Sequence, residues 1–157
     1  MLRQLMAFGL IFAAHHSASF GAAPKPPEGE WLTEYQIVDV GNATVKDPRK
    51  LDMLRRWIGH RYGNSSCLAG ADPIAILGSP YVRVPENHVF TFDNYGAFHL
   101  TAHYRMGFAI PGYGTEMIVG VLVGDTLNGI ADIDLDWEGS TTHVRSVLTA
   151  RRVGPCK

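Results

Sequence analysis

From Tyr81 onward the chain is a succession of short segments in which apolar and polar residues alternate, each closed by a cluster of Gly, Pro, Asn or Asp. The segments are YVRV, HVFTF, AFHLTAHYRM, EMIVGVLV, the run from Ile130 to Trp137, and THVRSVLTARR. Period-two alternation puts successive side chains on opposite faces of a strand. The stretches between them, Pro85 to Asn87, Asn94 to Gly96, Pro111 to Gly114, Gly124 to Gly129 and Gly139 to Ser140, carry turn chemistry. Connections this short favour antiparallel neighbours, because parallel strands need crossovers of a dozen or more residues. The expected fold class is mainly β: an antiparallel meander forming a small barrel or a sandwich.

Upstream, EWLTEYQIVDV reads as the first strand, with Trp31, Thr33, Tyr35 and Ile37 on one face. One α-helix is expected after it, in DPRKLDMLRRWIGH. Asp47 caps it, Pro48 takes the first helical position, Leu51, Leu54 and Ile58 share a face, and Gly59 ends the run. Lys50, Arg55 and Arg56 form its solvated side. Gly63 to Pro80 reads as a loop, with IAIL as a short strand inside it.

The first 23 residues contain one basic residue, Arg3, an apolar run from Leu5 to Ala14, and small residues before PKPP, the pattern of a secretory signal peptide. The apolar run is half the length needed to span a bilayer as a helix, about 20 residues, so no membrane span is expected. The domain division is a signal peptide over 1–23, a proline-rich leader over 24–28, and one β-rich domain over 29–157, exported to the periplasm or secreted. With 157 residues, 46% of them hydrophobic, the chain is large enough for one core. Lys+Arg number 14 against 15 Asp+Glu, a net charge of -1, which gives no global attraction to nucleic acid or to an anionic membrane. An oxidising compartment makes Cys67 and Cys156 a disulfide pair; the alternative is two separate thiols.

The most chemically suggestive stretch is ADIDLDWEGSTTHVR, residues 131 to 145. A calcium loop needs glycine after its third acid and glutamate at its end, and Trp137 and His143 stand at those positions. As a hairpin, Asp132, Asp134 and Asp136 share one face, and Ile133, Leu135 and Trp137 the other. With Gly139-Ser140 as a two-residue turn, Asp136 stands opposite His143 and Asp134 opposite Arg145, as cross-strand pairs. The core face then also holds Val144, Ser146 and Leu148. His99 and His103 share a strand face about 13 Å apart, too far to ligate one ion. Asp134, Asp136, His143, Arg145, His99 and His103 are therefore the candidate polar patch. No metal, cofactor or catalytic residue is expected, and nucleophile elbows, phosphate loops and dinucleotide motifs are missing from the sequence.

Two resemblances bear on this reading. Gly29-Glu30-Trp31 opening the first strand, with Arg151 and Arg152 in the last, resembles the calycin superfamily of small barrels, the lipocalins and fatty-acid-binding proteins. The resemblance implies that Trp31 packs beneath Arg151 as a cation–π pair closing the barrel. LTARRVGPCK, together with GEWLTEY and GVLVGDTLNGIADIDLDW, resembles an uncharacterised family of short exported proteobacterial proteins, a domain of unknown function with a G-x-W-like start and a G-R-R-x-G-x-C tail. Ala150 stands where that tail has its first glycine, and this chain has two cysteines where the family pattern implies more. The likeness implies export and a β-rich fold.

The functional expectation is an exported, non-enzymatic binding protein holding a small hydrophobic ligand in its barrel. Phe98, Leu100 and Tyr104, or Met117, Val119 and Val121, would line the cavity, or would simply fill the core. The alternative is a protein-binding module, such as an inhibitor of a secreted hydrolase, using FAIPGYGTE, residues 108 to 116, as an exposed contact loop. An enzyme of unrecognised type comes third and would depend on His99, His103 or Asp134.

Overall fold

A computed structural model describes residues 25–41, 48–70, 72–77, 85–105, 112–137 and 140–157. The elements run β1 (Gly29–Gly41), α1 (Pro48–Arg55), β2 (Arg61–Leu68), α2 (Ile74–Leu77), β3 (Asn87–Phe92), β4 (Ala97–Arg105), β5 (Gly112–Val123), β6 (Thr126–Trp137) and β7 (Ser140–Gly154). The signal-peptide reading, the YVRV segment and residues 108–111 of the expected contact loop lie outside the described residues.

The seven strands form one antiparallel sheet in the order β2-β1-β7-β6-β5-β4-β3. The chain walks from β3 to β7 as the expected meander, and β7 then pairs with β1. The sheet does not close by hydrogen bonding: β2 and β3 are its ends. It must nevertheless curl. Thr33 on β1 donates to the Ile76 carbonyl at 2.6 Å, and Tyr35 donates to that of Leu77. Asp72, a few residues earlier, pairs with His88 on β3 at 2.7 Å. Five strand spacings of about 4.8 Å separate β1 from β3 along a flat sheet, farther than the 72–77 segment reaches with a helical turn in it. The 72–77 segment, which contains α2, therefore bridges β1 and β3 of a curled sheet.

Inside the curl lies one core. Trp31 and Tyr35 from β1, Leu68 from β2, Ile76 and Leu77 from α2, Phe98 and Leu100 from β4, Ile118 and Leu122 from β5, Leu127 from β6 and Leu148 from β7 pack together. The first-strand alternation is as expected, with Trp31, Thr33, Tyr35 and Ile37 all buried. A second cluster at the β1–β7 end joins Ile37, Val40, Leu54 and Val144, which seats α1.

Several local expectations are corrected. RYGNSSCL is strand β2, not loop: its apolar content is too low to signal a strand, but β1 supplies a full ladder of partners from Gly29↔Leu68 to Gln36↔Arg61. IAIL is a helical turn, not a strand, and Ile76 and Leu77 still bury fully as its cap over the core. β6 begins at Thr126, not Ile130, because only Gly124 and Asp125 are needed to turn the chain between Val123 and Thr126. Ile58 lies beyond the end of α1 and is 46% exposed, Leu54 is buried, and Asp47 and the Leu51 side chain lie outside the described residues. Within the proline-rich leader, Pro26 is buried and the Pro27 carbonyl accepts the Trp31 indole N–H at 3.0 Å.

Candidate functional site

The β6–β7 hairpin sorts its side chains by face as anticipated, with Ala131 and Ile133 inward and Asp132, Asp134 and Asp136 outward. Its register is two residues away from the expected one. Trp137 pairs with Ser140, so Asp134 lies opposite His143, Asp132 opposite Arg145, and Asp136 opposite Thr141, while Gly139 of the expected turn lies outside the described residues. A shift of two leaves every residue on its own face, so the core survives and only the charge partners change.

The resulting ladder is closely bonded. Arg145 holds Asp132 through Nε at 2.7 Å and Nη2 at 3.1 Å. His143 lies between two carboxylates, Nδ1 at 2.8 Å from Asp134 and Nε2 at 3.2 Å from Asp132. The Arg145 hydrogen bond holds the Asp132 carboxyl below its usual range against the opposing effect of burial, with the Arg145 and His143 charges adding to it. The same bond raises Arg145. These acids are occupied in binding one another's partners, which is a structural use of charge.

His103 extends the strip, its Nδ1 at 3.2 Å from Thr115, which itself stands opposite Asp134. His99 lies four residues from His103 on β4, across from Val119 and Thr91. The predicted patch residues thus share the outer face without converging on one point. Among the described residues no group of three or more His, Cys, Asp or Glu is placed to hold a metal ion.

The barrel-end pair differs from the one the resemblance implied. Trp31 is fully buried and stands opposite Arg152, whereas Arg151 is exposed and opposite Leu32 and Thr126. Arg152 donates through Nε to the Glu28 carbonyl at 2.7 Å. Gly29 is required beneath it: a Cβ there would lie 2.5 Å from that Nε, and its φ of 144° disfavours any other residue. The Cys67–Cys156 disulfide is formed, with Cα atoms 5.4 Å apart, tying β2 to the tail beyond β7.

Sequence reasoning missed the buried polar groups. Glu116, expected in an exposed loop, is fully buried on β5 and accepts a hydrogen bond from Tyr104. Tyr35 stacks on Tyr62 with ring centroids 5.1 Å apart, and burial lifts its phenol well above 10.0, with the Glu116 charge the next cause. Glu116 lies in phase with Ile118 and Leu122, but β5 is apolar in the other phase as well, so the sequence carries no signal for its burial.

That phase also corrects the expected cavity lining. Phe98, Leu100 and Tyr104 do point inward, but they are buried in the packed interior. Met117, Val119 and Val121 point outward and are 42%, 40% and 39% exposed. Val119 pairs with Ile130, and Ile130 with Val147, so three exposed apolar side chains occupy one row across β5, β6 and β7. Directly opposed residues bring their Cβ atoms to about 5 Å. Met117 and Val121 flank the row, and His99, Gln36, Asn128, Thr149 and the Asp132–Arg145 pair surround it. An open depression of about 280 Å³ lies at the β3 end of the sheet, lined by Asp72, Pro73, His88 and Phe90.

No protein-family model, curated protein or solved structure matches this chain.

Proposed function

We propose that the chain is an exported, non-enzymatic binding module that engages a protein partner through the outer face of β5, β6 and β7. The observation that carries this reading is the row Val119, Ile130 and Val147, with Met117 and Val121 beside it. Exposed apolar residues scattered singly are ordinary on any protein. Five gathered by strand register on three hydrogen-bonded strands make a dry centre inside a polar rim, the anatomy of a contact surface. The sheet holds them rigidly, so little conformational entropy is lost when a partner covers them. Two features support export to the periplasm or beyond: the signal-like first 23 residues, and the likeness of both chain ends to short exported proteobacterial proteins. The Cys67–Cys156 disulfide is compatible with such a compartment.

The test is a photo-crosslinking residue placed at Ile130 and, separately, at Tyr95 in the β3–β4 turn, in cells exporting the protein. Tyr95 is 89% exposed and stands outside the row. One discrete protein captured from Ile130 and not from Tyr95 supports the reading. Equal capture from both positions, or none from Ile130, overturns it.

A further inference from the structure

The net charge of -1 conceals a segregation. Residues 49–61 carry Arg49, Lys50, Arg55, Arg56 and Arg61 against Asp52 alone, a net of +4, so the rest of the chain together holds -5. α1 and its exit turn fold this segment into a fixed corner. Trp57 N–H donates to the Leu54 carbonyl, Ile58 to Arg55 and His60 to Trp57, while Gly59 N–H donates to the Ile37 carbonyl and Ile37 N–H to the His60 carbonyl, which ties the turn to β1. Leu54 points into the Ile37, Val40 and Val144 cluster, with Trp57 packed against it. Exposed on the same segment stand Arg55, Arg56, His60 and Arg61, with Met53 at 43% and Ile58 at 46% exposure. The acid near Arg55 is Asp52, at 4.0 Å and 70% exposed, a weak tie that leaves the guanidinium available.

We propose that this corner docks the protein on an anionic lipid bilayer. The arginines meet lipid phosphates, and Met53 and Ile58 enter the boundary between headgroups and acyl chains, as basic amphipathic surfaces do. Charge complementarity sets the class of partner as polyanionic, and the aliphatic residues select among polyanions. A single nucleic-acid strand is gripped by cations with exposed aromatic platforms. Here the exposed apolar side chains of the segment are Met53 and Ile58, which gain by leaving water, while Trp57 packs against the Leu54 cluster. The surplus negative charge elsewhere turns the remainder of the molecule away from the same surface.

Co-sedimentation with vesicles tests this, comparing phosphatidylcholine alone with phosphatidylcholine containing about 30% phosphatidylglycerol, in ~0.15 M salt. The protein is expected on the anionic vesicles and not on the neutral ones. The double variant Arg55→Glu/Arg56→Glu should lose at least about tenfold in partitioning. Met53→Ser/Ile58→Ser should lose about threefold or more, because its cations remain and its insertion does not. All four positions are exposed, so circular dichroism should report the native fold in both variants. Equal sedimentation with neutral vesicles, or no loss on charge reversal, overturns the proposal. So does oligo-dT binding at least as tight as vesicle binding with Met53→Ser/Ile58→Ser unchanged, which assigns the corner to nucleic acid.

Discussion

Replacing both bridge cysteines, Cys67→Ser with Cys156→Ser, gives a prediction whose size follows from the topology. The bridge joins residues 89 apart in sequence, so it closes a loop of about 90 residues in the unfolded chain. The chain-entropy relation then assigns it about 4.6 kcal/mol at room temperature. In the folded protein the bridged residues are already neighbours for other reasons: Glu30 of β1 stands between Cys67 and Gly154 in register. The double variant should therefore fold to the same sheet and lose stability mainly through its unfolded state. For a domain of this size the loss corresponds to a melting temperature lower by about 15 °C. Urea unfolding followed by tryptophan fluorescence measures it, and the variant's slope should also rise, since its unfolded chain exposes more surface. A difference below about 1 kcal/mol with an unchanged slope would refute the entropic reasoning.

Other outcomes follow from single contacts. Tyr35→Phe removes the donor to the Leu77 carbonyl and should cost about 1–3 kcal/mol by guanidinium unfolding, loosening α2 from β1. Because burial raises the folded Tyr35 phenol above its unfolded value of 10.0, its contribution is full below that pH and declines as pH rises past it. The wild type should therefore lose more stability than Tyr35→Phe in alkaline titration. Asp132 has the opposite sign: its folded value is lowered, so its contribution is present above the ordinary carboxylate range and fades as pH falls through it. Asp132→Asn should flatten the acid limb of the stability curve, with a neutral-pH cost no larger than about 1 kcal/mol because Arg145 is half exposed. Gly120→Ala places a Cβ 2.8 Å from the Phe98 ring and should destabilise by about 1–3 kcal/mol, read as a lower melting temperature.

Much of this architecture is legible in the sequence wherever one strand face is apolar and the other polar. β1 shows its inner face directly, because Trp31, Thr33, Tyr35 and Ile37 alternate with charged or solvated residues. The 131–145 hairpin shows its faces equally well, but alternation does not fix its register, because a shift of two residues preserves both faces. β5 defeats the pattern altogether. Met117, Val119 and Val121 are apolar in one phase and Ile118 and Leu122 in the other, so alternation cannot choose between them. The choice is made by pairing with β4, where Leu100 stands opposite Ile118 and shares its inner face. A strand apolar in both phases was itself the sign that the outer face carries a hydrophobic surface. α2 was illegible for another reason: four residues are too few to display a period, and its role comes from reaching two distant strands at once.

The distinction between an outer contact face and an inner ligand cavity rests on methyl groups that lie on opposite sides of the same strands. Methyl-labelled protein, observed by NMR with the partner captured at Ile130, reads both sides in one spectrum. The outer-face account predicts that Val119, Val121, Ile130 and Val147 shift while Leu100, Ile118 and Leu148 keep their free positions. Shifts concentrated on Leu100, Ile118 and Leu148, with the outer methyls unmoved, would contradict it.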